Sequence, residues 1–173
     1  MDVVAMLTAI NSEIIIVKDN AGLAYLPEWG FNGIGNMIVG QGYQIKLTTA
    51  SVLVVEGAYM EPEEHPITLS EGWNMFGCLR LLGSDVTSVF ADIVEEVVIV
   101  KNGEGLAYLP EWGFNGIGNI EPGEAYQAKM NSTQILTYLP NDQEYRLGVD
   151  SVVNNSSLNH FSAVRSTGNN MQL

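Results

Sequence analysis

A chain of 173 residues, 46% of them hydrophobic, suits one ordinary domain or two small ones and carries enough apolar residues for a real core. Its 20 Asp and Glu against 7 Lys and Arg leave a formal charge of -13, so it lacks the basic footprint that a nucleic-acid backbone or an anionic membrane surface requires. No apolar run reaches the length of a membrane span, and the lone Cys78, set among Phe76, Gly77 and Leu79, reads as a small buried apolar residue that cannot form a disulfide within one chain.

In chain order, Val3, Met6, Leu7 and Ile10 fall at i, i+3, i+4 and i+7, the stripe of a short helix that must lie on a sheet. The β-branched run at 14–17 suits a strand covered on both faces, and Asp19-Asn20 marks a turn into the return strand LAYLP, closed by Pro27. EWGFNGIGN follows as a compact, self-packed loop. In the next strand Tyr43, Ile45 and Leu47 share one face, Gln44 and Lys46 the other. SVLVVEG (51–57) predicts a strand, EPEEHP (61–66) a charged surface loop, and residues 67–81 a strand bent at Gly72 or Gly77.

The pattern then starts again. Ser84 or Asp85 caps a helix bearing Val86, Val89, Phe90, Ile93 and Val94, and a β-branched run occupies 97–100. Asn102-Gly103 is a strong hairpin signal leading into LAYLP, closed by Pro110. After the same loop, Pro122-Gly123 turns into AYQAKM, with Tyr126, Ala128 and Met130 on one face and Gln127 and Lys129 on the other. QILTYL (134–139) predicts a further strand. Beyond Asn141, EYRLGVDSVV reads as a strand, NNSSLNH as turn-like, and FSAVRSTGNNMQL as a last strand or a mobile tail.

GLAYLPEWGFNGIGN runs from Gly22 to Asn36 and returns unchanged from Gly105 to Asn119, an offset of 83 residues. Between Ile14–Leu47 and Val97–Met130, 22 of 34 positions agree without a gap, so the unit of folding is a repeat. The expected fold is therefore α+β and β-rich: two tandem copies of a small sheet-plus-one-helix module with pseudo-twofold symmetry. Residues 1–60 form the first repeat, 61–140 the second, and 141–173 a C-terminal strand or mobile tail. Met1 is followed at once by what reads as the middle of a module, as in a fragment of a longer protein. The first copy lacks a strand equivalent to the one carrying Gly72, Trp73 and Asn74. Either the C-terminal segment fills that place or a sheet edge is open to self-association.

The candidate ligand or self-association surface is Tyr25, Trp29 and Asn32 with Tyr108, Trp112 and Asn115, joined by Phe31 and Phe114. These aromatics suit a stacking platform for a polysaccharide; the blander expectation is that they close the core or meet between the copies. Glu28 and Glu111 stand beside the two Trp, but two equivalent carboxylates do not divide acid from base, and surface turn residues are expected. GFNGIG has neither the spacing nor the Lys of a phosphate loop. His65, His160 and Cys78 are too few for a transition-metal cluster, and Glu61, Glu63 and Glu64 read as a solvated loop rather than a calcium site. No catalytic residue, cofactor or metal is expected. The function expected is a non-catalytic structural or interaction module, with carbohydrate binding as the alternative.

The stretch ITLSEGWNMFGCL, with SVF and then VVIVKNGEGLAYLPEWGFNGIGNIEPGEAYQAK, resembles the GWN modules of bacterial and archaeal surface and secreted proteins, through Gly72, Trp73, Asn74, Pro122, Gly123 and Tyr126. It is also similar to repeated segments in predicted proteins of marine bacteria and their phages. Residues 67–139 carry the resemblance well, and 2–57 match as a copy with Val39-Gly40 in place of Pro-Gly and no Trp-Asn strand. The resemblance implies an accessory or display unit of an extracellular or particle-associated protein, without catalytic residues.

Overall fold

The computed structural model describes residues 1–141 together with Met171–Gln172. Helix α1 (Val3–Met6) starts at Asp2, whose carboxylate accepts from the Val4 and Ala5 N–H groups, and α2 (Val86–Val89) starts at Asp85, which accepts from Thr87. Each helix is a single turn, shorter than the stripe suggested, and continues as a 3₁₀ helix over Thr8–Glu13 and Ala91–Glu96. A 3₁₀ helix repeats every three residues, so Leu7 with Ile10, and Phe90 with Ile93, stay on one face as the chain tightens.

The strands are β1 (Ile14–Lys18), β2 (Ala24–Leu26), β3 (Phe31–Asn32), β4 (Gln44–Leu47), β5 (Ile67–Leu69), β6 (Gly72–Gly77), β7 (Ser84–Asp85), β8 (Val97–Lys101), β9 (Ala107–Leu109), β10 (Phe114–Asn115), β11 (Asn119–Ile120), β12 (Ala125–Met130), β13 (Gln134–Leu136) and β14 (Met171–Gln172). Two antiparallel five-stranded sheets dominate, in the orders β14-β4-β1-β2-β3 and β6-β12-β8-β9-β10, with two-stranded ladders β5–β13 and β7–β11 beside them. The protein is thus β-rich α+β. One core gathers Val3, Leu7, Ile10, Val17, Tyr25, Tyr43 and Ile45; the other gathers Phe76, Val86, Phe90, Val100, Tyr108, Ile120 and Tyr126.

Three sequence expectations need correction. The β-branched runs of β1 and β8 are covered on one face, not two. A bulge sets Ile14 and Ile16 against successive partners Leu47 and Lys46, and Val97 and Ile99 against Met130 and Lys129. The extra residue shifts the alternation, so Ile14 and Val17, three apart, both reach the core while Ile15 is exposed. The hairpin that Asn102-Gly103 signals does form between β8 and β9; the Asn102 carboxamide oxygen holds it by accepting from Glu104 and Leu106, and its left-handed residue is Gly105, at φ +86°.

The EWGFNGIGN loop contains regular structure: a 3₁₀ turn, Pro27–Trp29 or Pro110–Trp112, followed by β3 or β10, which pairs back on β2 or β9. SVLVVEG is not a strand; Val55 makes a lone bridge and Leu53 alone is buried.

Elsewhere the expectations meet the structure directly. The 67–81 stretch bends at Ser70–Glu71, just before Gly72, into β5 and β6, and the alternations of β4 and β12 fall as read. The 134–139 strand is ordered as a ladder only through Leu136. The readings for 142–170 lie outside the described residues. At Met171–Gln172 the chain pairs antiparallel with β4, opposite Ile45 and Gln44, the position that β6 takes beside β12. Of the two alternatives for the missing strand, the C-terminal segment is the one found along that part of β4.

The halves meet where residues 40–42 run along the outer edge of β6. Gly77 donates to the Gly40 carbonyl (3.0 Å), Gly42 donates to Met75 (3.2 Å), Gln41 bridges Phe76, and the Met75 N–H donates to the Asn20 side chain (2.8 Å). At Gly42 an added Cβ would stand 2.9 Å from the Phe76 backbone N and O and 3.0 Å from the Ala125 Cβ, so this contact requires glycine.

Candidate functional site

The repeated hairpin is built the same way in each half. Tyr25 and Tyr108 point inward from β2 and β9 and are 4% and 5% exposed. Burial raises both phenols above their ordinary pKa, with a smaller push from the charges of Asp2 and Asp85. The Tyr25 hydroxyl donates to Asn11, so it belongs to the core rather than to a ligand surface. Asn32 and Asn115 brace the loop, their carboxamide oxygens accepting from Gly35 and Gly118 at 2.8 Å, and the Asn115 amide donates to Asp85 at 3.5 Å.

Trp29 and Trp112 do not close the core. They are 77% and 78% exposed, and Phe31 and Phe114 are each 53% exposed. Each Phe ring lies over the glycine two residues on, Gly33 or Gly116, where a Cβ would meet ring carbons at 3.0–3.2 Å. The expectation of core aromatics therefore holds for the Tyr pair and fails for the Trp and Phe pairs. Glycine places the αL turn after each Trp, directing the indole outward, and periodicity alone gives no sign of this. Glu28 and Glu111 are exposed in the same turns.

A cleft of about 290 Å³ opens between the halves, lined by Met6, Met37, Ile38, Leu53 and Leu79 together with Gly40 and Gly123. Its lining is apolar and brings together no acid–base pair. Cys78 borders it, and burial pushes its thiol up to about 11. Among the described residues, no three of His, Cys, Asp and Glu gather as metal ligands, and no helix is long and apolar enough to cross a membrane.

Sequence reasoning missed the outward faces of the two sheets. Lys18 and Lys46 project from β1 and β4, Lys101 and Lys129 from β8 and β12, with Gln44 and Gln127 among them. Trp73 on β6 stands directly opposite Lys129 and is 49% exposed, and the Lys101 ammonium lies 5.2 Å from its ring centroid. The signal was present in the period-two alternation that places Lys129 opposite the buried face. Comparison of the chain with protein-family models, curated proteins and solved structures returns no match.

Proposed function

We propose that this chain is a non-catalytic structural and interaction module of a larger surface, secreted or virion-associated protein, built from two tandem copies of one small unit. The observation that carries the reading is a contrast between the copies. Some core positions differ, as at Leu7 and Phe90 or Ile45 and Ala128, and others such as Val17 and Val100 are shared, while the exposed Glu-Trp-Gly-Phe-Asn stretch is the same in both throughout. Packing accounts for sameness inside a core, but it does not require two solvent-facing indoles. A shared contact does.

A pseudo-twofold relation between the copies is supported by the contact of Gly42 with Ala125, equivalent positions at the 83-residue offset. The resemblance to GWN modules supports placement outside the cell or on a particle. Self-association belongs to the same proposal. Carbohydrate binding is the second reading, favoured by the bare indoles of Trp29 and Trp112.

The test is the double variant Trp29→Ala/Trp112→Ala. Because both side chains are exposed, the unfolding free energy is expected to stay within about 0.5 kcal/mol of wild type. The concentration dependence of light scattering, or the fluorescence shift in polysaccharide titrations, is expected to disappear. Unfolding of the variant, or no change in either property, defeats the proposal.

A further inference from the structure

The described strands of the two five-stranded sheets contain all four lysines of the chain and, among the described residues, no Asp or Glu. In a chain of charge -13 this is a marked separation. Among the described residues no carboxylate lies within ion-pair distance of these lysines, and the one cation contact recorded for them is that of Lys101 with Trp73. The face of β6-β12-β8 therefore presents an indole with an ammonium directly across the ladder at Lys129 and a second from the next strand at Lys101. Gln127 lies between them, across from both Met75 and Lys101. The β1-β4 face repeats the Lys-Gln-Lys part with Lys18, Gln44 and Lys46.

We infer that the outward face carrying Trp73, Lys101, Gln127 and Lys129 binds an acidic polysaccharide, a polymer of uronate sugars. The inference rests on the interaction-module reading and gives it a ligand class. An indole stacks on the apolar face of a pyranose ring, ammonium groups pair with the ring carboxylates, and the glutamine amide bonds hydroxyls. At physiological salt the screening length is about 8 Å, so a ligand on the face responds to the lysines beside it more than to acidic loops farther away. A nucleic acid fits less well, since a single-stranded backbone calls for a longer basic track and a series of stacking rings. The second, lysine-bearing face of β1-β4 suits a polymer, because two weak sites on one chain gain from avidity.

The experiment titrates the full chain with tetragalacturonate, with a neutral galactose tetramer and with oligo(dT), following Trp fluorescence and heat. Tetragalacturonate is expected to bind saturably. The Lys101→Gln/Lys129→Gln variant should weaken it by about tenfold or more with an unchanged melting curve, while Lys101→Arg/Lys129→Arg retains it. Equal binding of the neutral tetramer, indifference to the glutamine pair, or tighter binding of oligo(dT) overturns the inference. Neutral-sugar binding that is lost only in Trp29→Ala/Trp112→Ala removes this ligand class yet leaves the module standing. If no sugar binds, the inference falls, and the scattering experiment alone then judges the module.

Discussion

Asn74 holds the bend that turns the chain from β5 into β6. Its side chain is buried, and its carboxamide accepts from the Ser70 N–H (2.8 Å) while donating to the Ser70 and Gly72 carbonyls (2.7 and 3.1 Å). Those three bonds satisfy backbone groups stranded where the chain bends between β5 and β6. Tyr126 plays the matching part at the Pro-Gly turn, its hydroxyl accepting from Glu121 and donating to Glu124, and Tyr43 does the same with Ile38 and Gln41 in the first half. Cys78 offers a test at this scale. Its thiol, at about 11 in the folded protein against an ordinary 9.0, keeps its proton in the fold after the unfolded chain has given it up. The resulting stability is complete below pH 9 and is lost as pH rises toward 11, by about 2–3 kcal/mol in total. Between pH 9 and 10, Cys78→Ala is expected to lessen the decline of urea midpoints with pH, the remainder coming from the buried tyrosines, whose pKa values burial raises as well. An equally steep decline in the variant would place the thiol in water.

At the level of elements, capping starts each half, and in the second the sequence announces it. Asp85 accepts from the Thr87 hydroxyl and the Thr87 N–H, and those bonds hold its carboxyl below the usual carboxylate range. A depressed pKa contributes stability above the unfolded value and loses it as pH falls through the folded one, so the cap weakens in acid. Asp85→Ala is expected to cost about 0.5–2 kcal/mol at neutral pH, and Asp85→Ser to recover most of it, measured by chemical denaturation. Equal stability of the alanine and aspartate forms would rule out the cap as the start of the second half. The strands β1, β2, β8 and β9, the cap at Asp85 and the alternations of β4 and β12 were legible because each is a local pattern. The bulges were not, since a run such as Ile14–Val17 looks alike whether both faces are covered or an extra residue shifts the phase. Nor was the outward setting of Trp29 and Trp112, which depends on a left-handed turn at Gly30 and Gly113. The lysine faces were legible residue by residue, but their grouping needed the register of five strands.

At the scale of the molecule, two separate cores are joined at residues 40–42, and Gly42 is the point where a Cβ would meet the backbone of the other half. Its φ is not positive, so the backbone admits alanine and the obstacle is space alone. The atoms that a Cβ would meet at 2.9 Å belong to the Phe76 backbone, held in the six-pair ladder of β6 with β12, and they cannot swing aside as a side chain would. The halves must then separate, breaking the bonds from Gly42 to Met75 and from Gly77 to Gly40. Gly42→Ala is therefore expected to cost about 1–3 kcal/mol, and to split one calorimetric transition into two, because each half keeps its own core. Gly22→Ala is the control: its Cβ enters open space at φ +82°, so it strains one hairpin and leaves a single transition. Adding Ala125→Gly to Gly42→Ala should not restore the joint, since the side-chain contact is relieved while the backbone contact persists. One cooperative transition at an unchanged midpoint in Gly42→Ala would mean that the halves are not held together at residues 40–42.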